Sequence, residues 1–118
     1  MSRIIIRADG NAKIGAGHLM RCLTVAEKLE KENVLFVCGD EDSAGLAMER
    51  GFSAFVLGTD YRDMVSELPL WQQMKEQNIG GLGMDEVTIL VDSYYVNNEY
   101  LTALKKLGKV VLLDDMAQ

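Results

Sequence analysis

Arg3-Ile4-Ile5-Ile6-Arg7-Ala8-Asp9-Gly10-Asn11-Ala12-Lys13-Ile14-Gly15-Ala16-Gly17-His18-Leu19-Met20-Arg21 opens as an apolar run, turns through glycines and ends in a segment of helical spacing. Three consecutive isoleucines are apolar on both faces of a strand. That suits a parallel strand covered by helices better than a half-exposed antiparallel one. A glycine-rich turn between strand and helix is where α/β proteins bring backbone close to phosphates or sugars. The glycines allow close approach, and the helix N-terminus adds N–H groups and a partial positive charge. The same turn carries His18, the only histidine among 118 residues.

Outward from this stretch the pattern repeats. Leu19, Leu23, Ala26 and Leu29 or Glu30 follow a helical spacing, so an amphipathic helix is expected over 18–32, with Asn33 as its stop. A second buried strand is expected over 34–38, ended by Gly39-Asp40, then a helix over 43–50 closed by Gly51, then a short strand over 54–57. From Thr59 to Gly83 the signal weakens. Pro69 suits a helical first turn, which places a helix over 69–77, with room for a short helical turn before it and a flexible Gly80-Gly81-Leu82-Gly83 connection after it. A strand over 87–91, a helix from Asn97 or Asn98 to Leu107 closed by Gly108, and a strand over 109–113 complete the chain.

Five strands alternating with helices predict an α/β fold, a Rossmann-like three-layer sandwich around a five-stranded parallel sheet of order 3-2-1-4-5. The whole of 1–118 reads as one domain. Ligands of such sheets sit beyond the carboxyl ends of the strands, where the winding reverses. The turns at Asp9–His18 and Asp92–Tyr95 follow the first and fourth strands, which flank that crevice.

Composition narrows the function. Twelve basic and 18 acidic residues give a net charge of −6, which argues against a nucleic-acid surface. No apolar run is long enough to span a bilayer and no signal-peptide pattern opens the chain. Cys22 and Cys38 lack metal-type spacing and read as reduced core residues, so a cytoplasmic protein is expected.

Gly10-x4-Gly15-x-Gly17 is neither the dinucleotide fingerprint nor an ATPase-type phosphate loop, so a nicotinamide cofactor is not expected. His18 stands in a first helical turn with Arg21 three residues on. The dipole and the guanidinium would both favour a neutral imidazole, as a general base requires. A histidine that only hydrogen-bonds the loop fits the same spacing. Asp9, Asp92, Asp114 and Asp115 all follow strands and could gather on one edge, but acids there commonly cap turns, and no metal is expected. A phospho-receiver domain is excluded, because the acidic pair after the first strand and the lysine after the fifth are missing. Tyr94 and Tyr95 suit packing on a neighbouring helix or a hydrogen bond to a ligand.

Arg7-Ala8-Asp9 followed by Ile14-Gly15-Ala16-Gly17-His18 and Arg21 resembles the opening of the nucleotide-sugar hydrolases of pseudaminic acid biosynthesis, and of related proteins of spore coat polysaccharide biosynthesis. Val91-Asp92-Ser93-Tyr94-Tyr95 and Leu113-Asp114-Asp115 resemble two later blocks of that family, in order along the chain. The resemblance implies the N-terminal half of a glycosyltransferase B-type fold. Its activity would be hydrolysis of a UDP-linked diacetamido-trideoxy sugar at the anomeric carbon–oxygen bond, without a cofactor. It implies that His18 is the base that activates water, and that Asp9, Asn11, Gly15, Gly17, Arg21, Asp92 and Tyr94 face the substrate.

Ser93 stands where the family often has a histidine, which would alter the sugar accepted. The family continues into a second, C-terminal nucleotide-binding domain, so this chain is expected to be the N-terminal half and weakly active or inert alone. A glycosyltransferase half and a non-catalytic ligand-binding domain of the same fold are the alternatives.

Overall fold

Alternate residues of the first strand face opposite layers, and the architecture follows from that alternation. The structure, a computed structural model, describes residues 3–10, 17–60, 63–82, 86–92 and 96–112. Strand β1 (Arg3–Ala8) lies at the centre, flanked by β2 (Val34–Cys38) and β4 (Val87–Asp92), with β3 (Ser53–Val56) and β5 (Lys109–Leu112) at the edges. All neighbours are parallel, in the order β3-β2-β1-β4-β5. The register sets Ile5 opposite Leu35 and Ile89, and Ala8 opposite Asp92.

Helices cover both faces. Ile6 and Ala8 pack with Leu19, Cys22, Leu23 and Ala26 of α1 (Gly17–Ala26) and with Ala44 and Ala47 of α2 (Glu41–Glu49). Ile5 packs on the other side with Trp71 and Met74 of α3 (Leu68–Glu76) and with Tyr100 and Leu104 of α4 (Asn98–Lys105). This is the Rossmann-like sandwich expected from the alternation of strands and helices. Each fully buried large apolar side chain contributes about 1.5–3 kcal/mol, so the triple-isoleucine strand anchors both layers at once.

The ends of the helices are set by single side chains. Asp40 Oδ1 accepts from Ser43 N at 2.7 Å to cap α2, and Asn97 Oδ1 accepts from Tyr100 N at 2.9 Å to cap α4. Pro69 occupies the first turn of α3, preceded by a 3-10 turn over Met64–Glu67.

Two expectations are corrected. Helix α1 ends at Ala26 rather than running to residue 32. Beyond Ala26 the chain is charged and polar except for the partly exposed Leu29, so no apolar face remains to hold another turn, and the backbone tightens into i→i+3 bonds at Lys28 and Leu29. In the expected flexible connection, Gly80 and Gly81 belong to a 3-10 turn at Ile79–Gly81 pressed against the sheet, and Gly83 lies outside the described residues. Gly80 has φ +67°, and a Cβ there would lie 2.9 Å from Leu35 Cδ2 and 3.0 Å from Ile5 Cδ1. Glycine is needed both for the left-handed backbone and for the close approach.

Arg7 stands on the α3/α4 side of β1 and is completely buried. Its partner is Glu67, also completely buried, at the end of the 3-10 turn before α3. Arg7 Nε donates to both carboxylate oxygens at 3.0 and 3.1 Å, and Nη2 donates to Oε2 at 2.6 Å. Trp71 Nε1 and Tyr100 Oη donate to Glu67 Oε1 at 3.2 and 2.7 Å. Arg7 Nη1 reaches Asp9 Oδ1 at 2.9 Å. Burial works against the guanidinium's charge, but the hydrogen bonds and charge of Glu67, with Asp9, outweigh it and hold the proton even more firmly than usual.

Removing one partner of such a pair strands a buried charge, which costs roughly 3–5 kcal/mol. We expect Glu67→Gln and Arg7→Met to lose stability on that scale singly, and the double variant to lose less than the sum. Urea unfolding followed by the single tryptophan, Trp71, measures this cycle directly.

Burial also pushes up the Cys38 thiol, from an ordinary 9.0 to about 12. Cys22 and Tyr100 are raised in the same direction, each chiefly by burial. The unfolded chain loses these protons first, so the native state holds more protons above the ordinary values. Stability is therefore full below about pH 9 and falls as pH rises towards 12. Urea midpoints measured across that window should decline, and Cys38→Ala should make the decline shallower.

Candidate functional site

Strands β1 and β4 end side by side, with Ala8 opposite Asp92. Leu90 packs on the α1 side of the sheet, and Asp92, two residues further along the strand, stands on that same side. The first turns of α1 bring His18, Arg21 and Cys22 to meet it. Their i, i+3, i+4 spacing puts all three on one helix face. The three side chains converge on one carboxylate.

Asp92 Oδ1 is hydrogen-bonded to His18 Nδ1 and accepts from Arg21 Nη2 at 2.7 Å. Asp92 Oδ2 accepts from Arg21 Nε at 3.1 Å and from Cys22 Sγ at 3.5 Å. Exposure rises outward from the carboxylate: Asp92 is 1% exposed, the His18 side chain 13% and that of Arg21 35%. The carboxylate is thus sealed while the imidazole stands at the surface.

This geometry has a defined chemistry. A carboxylate at Nδ1 takes that nitrogen's proton in its hydrogen bond, so the neutral ring carries its lone pair on Nε2. It also fixes the ring plane and supports positive charge on the ring after proton uptake. The pair can therefore act as a general base or acid towards a water or hydroxyl at Nε2. Arg21 faces the same side as His18, as the spacing predicts. It does not stand beside the ring as an unopposed second charge, however. Its fork grips Asp92 and offsets the buried carboxylate.

Asp9 belongs to a second cluster. It is 5% exposed, and its Oδ1 accepts from Gly39 N at 2.7 Å while meeting Arg7 Nη1 at 2.9 Å. Asp9 therefore ties the carboxyl ends of β1 and β2 together. Gly10 N donates to Ser43 Oγ at 2.9 Å, so the entry to the glycine turn is fastened to the first turn of α2. Gly17 opens α1, and a Cβ there would meet no described atom within 4 Å. Of the other residues singled out in the sequence, Asn11, Gly15, Ser93, Tyr94, Tyr95, Asp114 and Asp115 lie outside the described residues.

Asp9 and Asp92 serve separate sets of cationic donors, and no group of three metal-ligating side chains occurs among the described residues. No described helix is long and apolar enough to cross a membrane. A cavity of about 140 Å³ bordered by Arg3, Asn33, Ser53 and Gly80 lies at the opposite, amino edge of the sheet, away from these side chains.

Sequence reasoning placed His18, Arg21 and Asp92 in one site but did not pair the ring with the carboxylate. It also missed Cys22 as a donor. The signal was present in the i, i+3, i+4 spacing of three polar or polarisable residues on α1, facing an acid at the end of the neighbouring strand. Comparison with protein-family models, curated proteins and solved structures finds no match to this chain.

The ring geometry is directly testable because there is one imidazole. Nitrogen chemical shifts of the neutral ring should identify the Nδ1–H tautomer, and Asp92→Asn should shift the population towards Nε2–H. A predominant Nε2–H tautomer in the unsubstituted chain would contradict the arrangement.

Proposed function

We propose that this chain is the base-bearing half of a UDP-sugar hydrolase with a glycosyltransferase B-type architecture, acting in surface or spore-coat polysaccharide biosynthesis of the pseudaminic acid kind. The observation that carries the reading is the His18–Asp92 pair at the carboxyl ends of β1 and β4, the crevice where doubly wound sheets hold their ligands. The resemblance in the glycine turn and in the block around Asp92 supplies the substrate class.

In this reading water is bound at His18 Nε2, below the anomeric carbon of the sugar. The imidazole takes a proton as the oxygen attacks that carbon, and the bond from the carbon to the pyrophosphate oxygen breaks. UDP leaves with the bonding electron pair, and the proton on His18 returns to solvent or to UDP. Asp92 stabilises the imidazolium formed in between and keeps the ring aligned, while the Arg21 fork holds Asp92 in place. Asn11, Gly15, Gly17 and Tyr94 line the sugar and phosphate side. A second, nucleotide-binding half holds most of the uridine diphosphate. No metal takes part. The setting is the cytoplasm, where Cys22 and Cys38 stay as thiols.

The test joins the chain to a nucleotide-binding half of the family and follows UDP release from a UDP-linked diacetamido-trideoxy sugar. His18→Asn should lower turnover by about 100-fold or more while leaving the urea midpoint nearly unchanged. Unchanged turnover ends the base assignment. A new glycoside in place of free sugar makes the protein a transferase. Failure to bind or turn over the substrate with both halves present makes it a ligand-binding or assembly domain.

A further inference from the structure

Among the described residues, three of the four hydrogen bonds that reach the Asp92 carboxylate come from groups suited to its charge, an imidazole and the two guanidinium nitrogens. The fourth comes from Cys22, a completely buried thiol one helical turn beyond His18. An apolar residue would fill this position of α1 as well as Leu19 and Leu23 fill theirs. Cys22 instead sets its sulfur 3.5 Å from Asp92 Oδ2, the oxygen opposite the one that holds His18.

We propose that Cys22 is a positioning residue for the His18–Asp92 pair, its S–H donating to Asp92 Oδ2 so that the carboxylate presents Oδ1 to the imidazole in one fixed orientation. As a function this rests on the reading of His18 as a base; as a coupling it rests on the geometry alone. Burial, and then the charge of Asp92, push the thiol far above its ordinary range, so it remains a donor at every physiological pH. A neutral donor suits the position. A further cation would drain charge from the carboxylate that must support the imidazolium, whereas a thiol takes only a small share. Among the described residues, the ionisable groups that face this pair are Arg21 on α1 and, towards the thiol, Cys38 at the end of β2.

Three substitutions separate donation from packing. Cys22→Val fills the space without a donor, Cys22→Ala removes both, and Cys22→Ser keeps a donor in a smaller side chain. The readout is the titration of the single imidazole, followed by its ring-proton signals. Loss of the S–H concentrates charge on Asp92, so Val and Ala should both raise the imidazole's proton affinity, by about two- to threefold. Ser should stay near the unsubstituted value once a small shift takes up its shorter bond. If instead Val titrates like the unsubstituted chain while Ala and Ser depart together, Cys22 only fills space and the proposal fails.

A second measurement needs no change at position 22. In Cys38→Ala the remaining S–H stretching band belongs to Cys22, and donation to a carboxylate should place it below the band of a thiol in apolar surroundings. Asp92→Asn should move it up. A band that ignores Asp92→Asn overturns the proposal. The base reading is tested separately by UDP release from His18→Asn, so either can fail while the other stands.

Discussion

The buried pairing of Arg7 with Glu67 is the constraint on which the rest of the molecule depends. A guanidinium in the central strand of a fully covered sheet is not stable without a carboxylate; Asp9 meets Nη1, and bringing residue 67 over β1 supplies the carboxylate that Nε and Nη2 grip. That requirement fixes the 3-10 turn before α3, and it draws in Trp71 from α3 and Tyr100 from α4 as donors to the same carboxylate. β1, α3 and α4 are thereby held in one relative position. The pair contributes less to net stability than to specificity, because well-packed apolar residues of similar volume could replace it. What apolar residues could not do is reach Asp9, whose Oδ1 also accepts from the amide of Gly39.

Through Asp9 the buried network meets the functional edge. The chain leaves β1 with Asp9 fastened to β2 and Gly10 fastened to Ser43 of α2, so the glycine turn departs from a defined point. It returns at Gly17, where α1 begins, and the next helical turn delivers His18, Arg21 and Cys22 to Asp92. The sheet order matters here. Because β4 and not β2 borders β1 on that side, the acid at the end of β4 falls beneath α1. The polar geometry at the edge is thus a consequence of where the winding reverses.

Much of this was legible in the chain. The isoleucine run, the breaks at Gly39, Gly51 and Gly108, and a cap at Asn97 or Asn98 identify strands and helices by local chemistry, and the order of five parallel strands follows from few topological choices. The end of α1 was not legible. Residues 27–32 have helical propensity, and only the loss of contact with the sheet shows that the helix stops at Ala26. Glu67 was also hidden, because it lies 60 positions from Arg7 and in the part of the chain with the weakest periodicity. An arginine that directly follows three isoleucines in a buried strand announces that a buried acid exists, but no local rule picks out Glu67.

The two buried carboxylates show how a structural acid differs from a functional one. Glu67 is sealed, and each donor it binds is itself buried: Arg7, Trp71 and Tyr100. None of these three donors, among the described residues, reaches a surface where a proton could be exchanged with a substrate. Asp92 is sealed equally well, yet the exposure of its donors is graded, from buried Cys22 to His18 and then to Arg21. A charge that cannot reach solvent is therefore coupled to a ring that stands at its boundary. Work done in protonating the ring is shared with a carboxylate that water does not screen, which strengthens the coupling over that of an exposed pair. The same interior that makes Glu67 a scaffold makes Asp92 an effective partner for a base, and the difference lies wholly in which side chain stands between the carboxylate and the solvent.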